Sequence, residues 1–196
     1  MVNPSVLIPR QETEELVNEI ILDNKNPGMD VIDIGSGSGC IGVTLGLELS
    51  MARITALEVD GPALDVTLKN AQRYQLEIEC LLEDVLQLER LPSQYDIMVS
   101  NPPYVLEHEQ SKMKPNVLDH EPHKALFVPD GDPLLYYNKI LSLARKHLKP
   151  KGKLYFEINE KFGNEMIRLC DEHQCSYVRL MQDLNRKDRM IMAMFD

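Results

Sequence analysis

Short apolar runs alternate along this chain with segments of helical period, and that alternation restricts its fold more than any other feature. Strand-like runs stand at residues 31–34, 54–59, 78–82, 95–99 and 153–158. Between them lie helical patterns at 40–49, 61–74 and 133–148, the last with Leu134, Leu135, Ile140, Leu141 and Ala144 on one side. A leading helix is expected over 12–22 from the spacing of Leu16, Val17, Ile20 and Ile21. Strands that take turns with helices predict a parallel sheet covered on both faces. After a helix at 161–172, the runs 177–182 and 189–195 flank a polar turn, the pattern of a closing antiparallel hairpin. The expectation is an α/β fold with a seven-stranded, mostly parallel sheet. Residues 106–132 carry Pro115, Pro122, Pro129 and Gly131 without a clear period. A loop of that length inside a compact domain is usually functional, so it is expected to help form a substrate pocket.

Composition narrows the function classes. The 196 residues suit one domain spanning 1–196, and 43% hydrophobic with 27% charged residues is the balance of a soluble globular protein. No stretch approaches the ~20 apolar residues of a membrane-spanning helix, and residues 1–10 have no leader pattern, so a cytoplasmic location without membrane contact is expected. Cys40, Cys80, Cys170 and Cys175 contain no C-x-x-C pair, and His120 and His123 bring no further ligands with them, so no metal site is expected. A net charge of −10 argues against direct nucleic-acid binding, which needs clustered cations.

Asp33-Ile34-Gly35-Ser36-Gly37-Ser38-Gly39-Cys40 lies between the first strand and the helix that follows it. Glycines there let the backbone turn sharply and let a nucleoside-type cofactor approach helix N-terminal amides. Glu58 follows at the end of the next strand, where such folds bind ribose hydroxyls. Asp84 ends the third strand and can accept from an adenine amino group, with Val85 beside the ring. Residues 37–42 also fit the dinucleotide fingerprint G-x-G-x-x-G, a weak match by itself. Asp33 directly before the loop, and the lack of a domain for a hydride acceptor, favour S-adenosyl-L-methionine.

Asn101-Pro102-Pro103-Tyr104 follows the fourth strand. Two prolines remove two backbone donors and hold the chain extended, which leaves carbonyls open to a ligand. An amide, two carbonyls and a ring suit a flat substrate with an NH2 group, although an ordinary proline turn reads the same way.

With the glycine loop, Glu58, Asp84 and this tetrapeptide, the chain resembles the Rossmann-like class I methyltransferases, and more narrowly the HemK/PrmC family of protein-(glutamine-N5) methyltransferases. Residues 6–14, Val-Leu-Ile-Pro-Arg-Gln-Glu-Thr-Glu, are similar to the family's entry motif, with Gln11 where Pro is usual. Residues 116–126 are similar to its segment ending in Glu-Pro-x-x-Ala-Leu, and 187–190 to its final strand. Glu58 stands where Asp is more usual. The family's N-terminal release-factor-binding domain has no counterpart in the sequence.

The resemblance implies methyl transfer from S-adenosyl-L-methionine to the glutamine of a Gly-Gly-Gln loop in a class I peptide chain release factor, the expected protein partner. Catalytic roles then fall to Asn101, Pro102, Pro103 and Tyr104. Cofactor binding falls to Asp33, Gly35, Ser36, Gly37, Ser38, Gly39, Glu58, Asp84, Val85 and Asn101. The Asn101 and Pro102 carbonyls would accept the two N–H hydrogens, Pro103 would shape the wall, and Tyr104 would pack on the amide. Two rival readings share the signature: a glutamine methyltransferase acting on a ribosomal protein, and an adenine-N6 methyltransferase, which would need a basic groove to reach a stacked base.

Overall fold

A computed structural model of the chain describes residues 1–112 and 121–196. Helix α1 (Gln11–Asp23) precedes β1 (Asp30–Ile34), α2 (Cys40–Glu48), β2 (Arg53–Glu58), α3 (Gly61–Arg73), β3 (Ile78–Leu82) and β4 (Tyr95–Ser100). Two short paired strands, β5 (Val105–Leu106) and β6 (Phe127–Val128), flank a 3-10 turn at Glu107–Lys112 and the single-turn helix α4 (His123–Leu126). Helix α5 (Leu135–His147), β7 (Leu148–Glu157), α6 (Gly163–Glu172), β8 (Tyr177–Gln182) and β9 (Asp188–Met194) complete the chain.

Seven strands form one sheet in the order β3-β2-β1-β4-β7-β9-β8. The first five pair in parallel, and β9 runs antiparallel between β7 and β8. The closing hairpin therefore sits at one side of the sheet, as the polar turn at 183–188 predicts.

Side chains alternate between two cores because successive strand residues point to opposite faces. In β4, Ile97 and Val99 join Leu16, Ile20, Ile41 and Leu45 of α1 and α2. Met98 points the other way, into a core with Tyr137, Ile140 and Leu141 of α5 and Met166 of α6. With helices on both sides, the central strands are buried almost throughout, which explains their continuous apolar runs.

Most predicted elements lie within a few residues of these bounds, and the differences have local causes. Val59, predicted as strand, leaves the ladder because its N–H turns to the Glu58 carboxylate at 2.9 Å. Strand β7 begins at Leu148, ahead of the predicted 153, but its pairing with β4 jumps from Tyr95↔Leu148 to Ile97↔Lys153. Pro150, Lys151 (φ 66°) and Gly152 form that excursion, so the sequence signal of a break is physically present inside the strand. Where the sequence shows no period, over 106–132, the described residues include the end of β5 and all of β6, while His120 and residues 113–119 lie outside the described residues. Among the described residues, no helix is long and apolar enough to cross a membrane.

Candidate active site

The strand order reverses beside β1. The chain runs outward from β1 to β3 and then returns to lay β4 on the other flank of β1. At such a reversal the connections leave in opposite directions and open a crevice at the carboxyl ends of the strands. A cavity of about 660 Å³ lies there, within the usual size of a small-molecule site. Ser100, fully buried, donates to the Ile34 carbonyl at 2.6 Å and ties the ends of β1 and β4 together.

The glycine loop forms one wall. Gly35, Gly37 and Gly39 all have positive φ, near 77°, 53° and 75°, so the turn needs residues without a Cβ. Helix α3 buttresses it: Thr67 donates to the Gly37 carbonyl at 2.9 Å, and Asn70 donates to that of Ser38 at 2.8 Å. Asp33 sits under the loop, with Oδ2 accepting the Gly42 N–H at 2.9 Å and Oδ1 lacking a hydrogen-bond partner among the described residues. Burial pushes its carboxyl up to about 7, against the Gly42 N–H, and the nearby Glu58 adds to the rise.

Glu58 ends β2 and lines the cavity. Its Oε2 accepts the Gly37 N–H at 2.9 Å, and its Oε1 accepts those of Val59 and Asp60 at 2.9 and 3.1 Å. Three backbone donors thus aim this carboxylate, a fixed acceptor suited to a pair of hydroxyls. Asp84 and Val85 line the cavity beyond β3, and Asp84 Oδ1 accepts the Leu86 N–H at 2.9 Å.

Asn101, Pro102 and Pro103 line the same cavity from β4. The Asn101 Nδ2 donates to Thr13 Oγ1 at 3.3 Å, and Thr13 donates onward to Glu157 Oε2 at 2.6 Å. Tyr104 is turned away from the cavity: its hydroxyl donates to Glu157 Oε1 at 3.1 Å, and the residue lines a smaller adjoining pocket with Asn101 and Pro102. Burial beside Glu157 holds the Tyr104 phenol protonated. Over this pocket the entry segment is latched by Arg10, whose guanidinium reaches both oxygens of the buried Glu121 at 2.6 and 2.8 Å.

Of the residues the sequence singles out, Gly35, Ser36, Gly37, Ser38, Glu58, Asp84, Val85, Asn101, Pro102 and Pro103 meet at this one cavity. Asp33 and Gly39 stand behind its wall and shape the loop, and Tyr104 faces the neighbouring pocket. Sequence reasoning passed over Thr13, Tyr136 and Glu157. Thr13 lies in the entry motif, and Glu157 closes an apolar strand run as Glu58 does, so a strand-end signal for it was available. Tyr136 falls within the helical run 133–148 but not among the apolar residues that mark its face.

The cavity lining carries Glu58, Asp60, Glu83 and Asp84 against a single cationic side chain, Lys124, among the described residues. That excess of carboxylates suits a cation and repels a pyrophosphate. No group of three or more His, Cys, Asp or Glu is arranged to hold a metal ion among the described residues.

Comparisons with known proteins agree with this geometry. The family model for the methyltransferase small domain matches residues 12–127. The release factor glutamine methyltransferase of Bacteroides thetaiotaomicron is 45% identical over 193 residues, covering 98% of this chain and 69% of its own. The protein of the same name from Flavobacterium psychrophilum is 43% identical, covering 99% of this chain and 70% of its own. Among solved structures, the hMettl16 catalytic domain in complex with a MAT2A 3′UTR hairpin shares the fold, with a TM-score of 0.73 at 17% identity over 100% of this chain and 74% of that one. With a methyltransferase small domain over more than half its length and relatives of that name along nearly all of it, the chain belongs to the release factor glutamine methyltransferase family.

Proposed function

We propose that this chain transfers a methyl group from S-adenosyl-L-methionine to N5 of the glutamine in the Gly-Gly-Gln motif of class I peptide chain release factors, with residues 1–196 as its catalytic domain. The observation that carries the reading is the convergence of Asn101 and Pro102 with the glycine loop and Glu58 on one cavity. The names of the relatives supply the substrate class. A release factor as substrate also supports a cytoplasmic location.

The residues present fit the cofactor. Glu58, held by three amides, would take the ribose hydroxyls, and Asp84 with Val85 would border the adenine. Gly35 and Gly37 leave the loop backbone bare toward the cavity. The carboxylate excess favours a cationic ligand over the dinucleotide that residues 37–42 also permit. When bound, S-adenosyl-L-methionine supplies an electrophilic methyl group on its sulfonium.

An amide nitrogen is a poor nucleophile because its lone pair is delocalised. The Asn101 side-chain carbonyl and the Pro102 backbone carbonyl would accept the two N–H hydrogens of the target glutamine and hold its nitrogen in line for attack. The same acceptors would stabilise the positive charge that grows on nitrogen in the transition state, which makes the proton easy to lose afterwards. No strong general base is required.

The adenine-N6 alternative is disfavoured by the net charge of −10 and the acidic cavity lining. Tandem mass spectrometry of a release factor incubated with the chain and S-adenosyl-L-methionine tests the proposal. One methyl on the side chain of the Gly-Gly-Gln glutamine is expected. A methyl on any other residue, or none, contradicts it.

A further inference from the structure

Glu157 closes β7 one residue beyond the Ser100↔Phe156 pair, level with Asn101 at the end of β4. It is 1% exposed, and two hydroxyls converge on it, Thr13 on Oε2 at 2.6 Å and Tyr104 on Oε1 at 3.1 Å. Tyr137 from α5 donates to its backbone carbonyl at 3.0 Å and holds the strand end in place. A buried carboxylate is costly even with two hydroxyls donating to it, and the cofactor and acceptor roles assigned above make no use of this one.

We propose that Glu157, acting through Thr13, is a positioning residue that fixes the Asn101 amide with its carbonyl oxygen turned toward the acceptor nitrogen. The proposal rests on the glutamine-methylation reading. Its logic is the direction of hydrogen bonds. An ionised carboxylate only accepts, so the single Thr13 hydroxyl hydrogen is committed to Glu157. Thr13 Oγ1 can then only accept from Asn101, and Asn101 must offer it the NH2 group, as the 3.3 Å contact has it. The amide carbonyl is left for the other side, where the glutamine hydrogens need an acceptor. Without the carboxylate, the Thr13 hydrogen is free to point at Asn101. The amide can then turn over and present its NH2 to the target NH2, donor against donor.

The charge on Glu157 is therefore part of the device. Burial raises its pKa, while the hydrogen bonds from Thr13 and Tyr104 and the charge of Arg189 on β9 lower it, and Glu12 on α1 raises it again. Methyl transfer should accordingly fall at acid pH as a group titrating above the ordinary carboxylate range takes up a proton.

Two readouts on the full chain test this: steady-state methylation of a release factor, and the side-chain 15N–1H signals of Asn101 across pH. Thr13→Ser keeps the hydroxyl and should hold kcat within about threefold of wild type. Thr13→Val should lower kcat about thirtyfold or more, with KM for the release factor and Kd for S-adenosyl-L-methionine each within about threefold. Glu157→Gln should lose the acid limb of the pH profile. In the wild type, the Asn101 amide signals should shift with the same apparent pKa as that limb, a readout that needs no variant to fold. Thr13→Val with wild-type kcat, or Asn101 signals blind to the acid limb, would overturn the proposal. A wild type whose Asn101 signals follow Glu157 but which methylates no release factor would instead overturn the function and leave the positioning role standing.

Discussion

Asn101 and Asp33 lie at the ends of neighbouring strands, yet their environments give them opposite work. Asn101 opens on the cavity, so its loss should strike the reaction rather than the fold. Asn101→Ala is expected to lower kcat about 10²-fold or more while melting within about 2 °C of wild type, because a transition-state acceptor is removed from a partly exposed site. Rapid-quench methylation and a thermal scan check both halves. Asp33 is fully buried, and its effect should appear in stability. Its carboxyl titrates near 7 in the folded chain and at its ordinary 3.8 when unfolded. The folded state therefore holds a proton that the unfolded state has released, so the contribution of Asp33 is whole below pH 3.8 and is lost as pH rises through about 7. Asp33→Asn should remove that dependence and make the ligand-free chain more stable than wild type by about 2–4 kcal/mol at pH 8, with little difference at pH 4. Urea titrations at the two pH values measure it, and parallel pH dependence in both proteins would contradict it.

At the scale of elements, the loop between β1 and α2 separates two uses of glycine. A Cβ on Gly39 would lie 2.8 Å from Thr67 Cγ2 and 3.2 Å from Thr67 Cα, at a φ of +75°. Gly39→Ala should cost about 2–3 kcal/mol of stability, since neither the backbone angle nor the contact with α3 can be relieved cheaply. A Cβ on Gly35 would meet nothing within 4 Å but would stand at the cavity wall. Gly35→Ala should cost about 1 kcal/mol of stability and weaken S-adenosyl-L-methionine binding about tenfold or more. Denaturation and calorimetry on the pair separate the two effects. These elements were legible in sequence because propensity and pattern agree there: β1, β2 and β4 are apolar on both faces, and the glycines fall at the turn. The sequence marks only the run 153–158 as strand at β7 because Pro150 and Gly152 signal a break that the sheet spans with an excursion. Strands β5 and β6, two residues each, are too short for any periodicity to show.

For the whole molecule, the order β3-β2-β1-β4-β7-β9-β8 brings side chains as far apart as residue 13 and residue 157 together at the carboxyl ends of the central strands. Asn101 and Glu58 could be picked from the sequence because each sits in a recognisable local context. The Thr13–Glu157 contact spans 144 residues and exists only once α1 packs beside β7, so no local pattern announces it. The Arg10–Glu121 latch is similarly non-local, although both of its ends lie in motifs already singled out. Charge acts at this scale too, since a chain of −10 with an acidic cavity lining should exclude polyanions and admit a cationic cofactor and a neutral glutamine. The most direct measurement offers wild-type protein and labelled S-adenosyl-L-methionine three acceptors in parallel: a class I release factor, ribosomal proteins, and adenine-containing DNA and RNA. Label should enter the release factor alone, and a release factor whose Gly-Gly-Gln glutamine is replaced by alanine should stay unlabelled. Label in a ribosomal protein or a nucleic acid, or undiminished label in the glutamine-replaced release factor, would contradict the account.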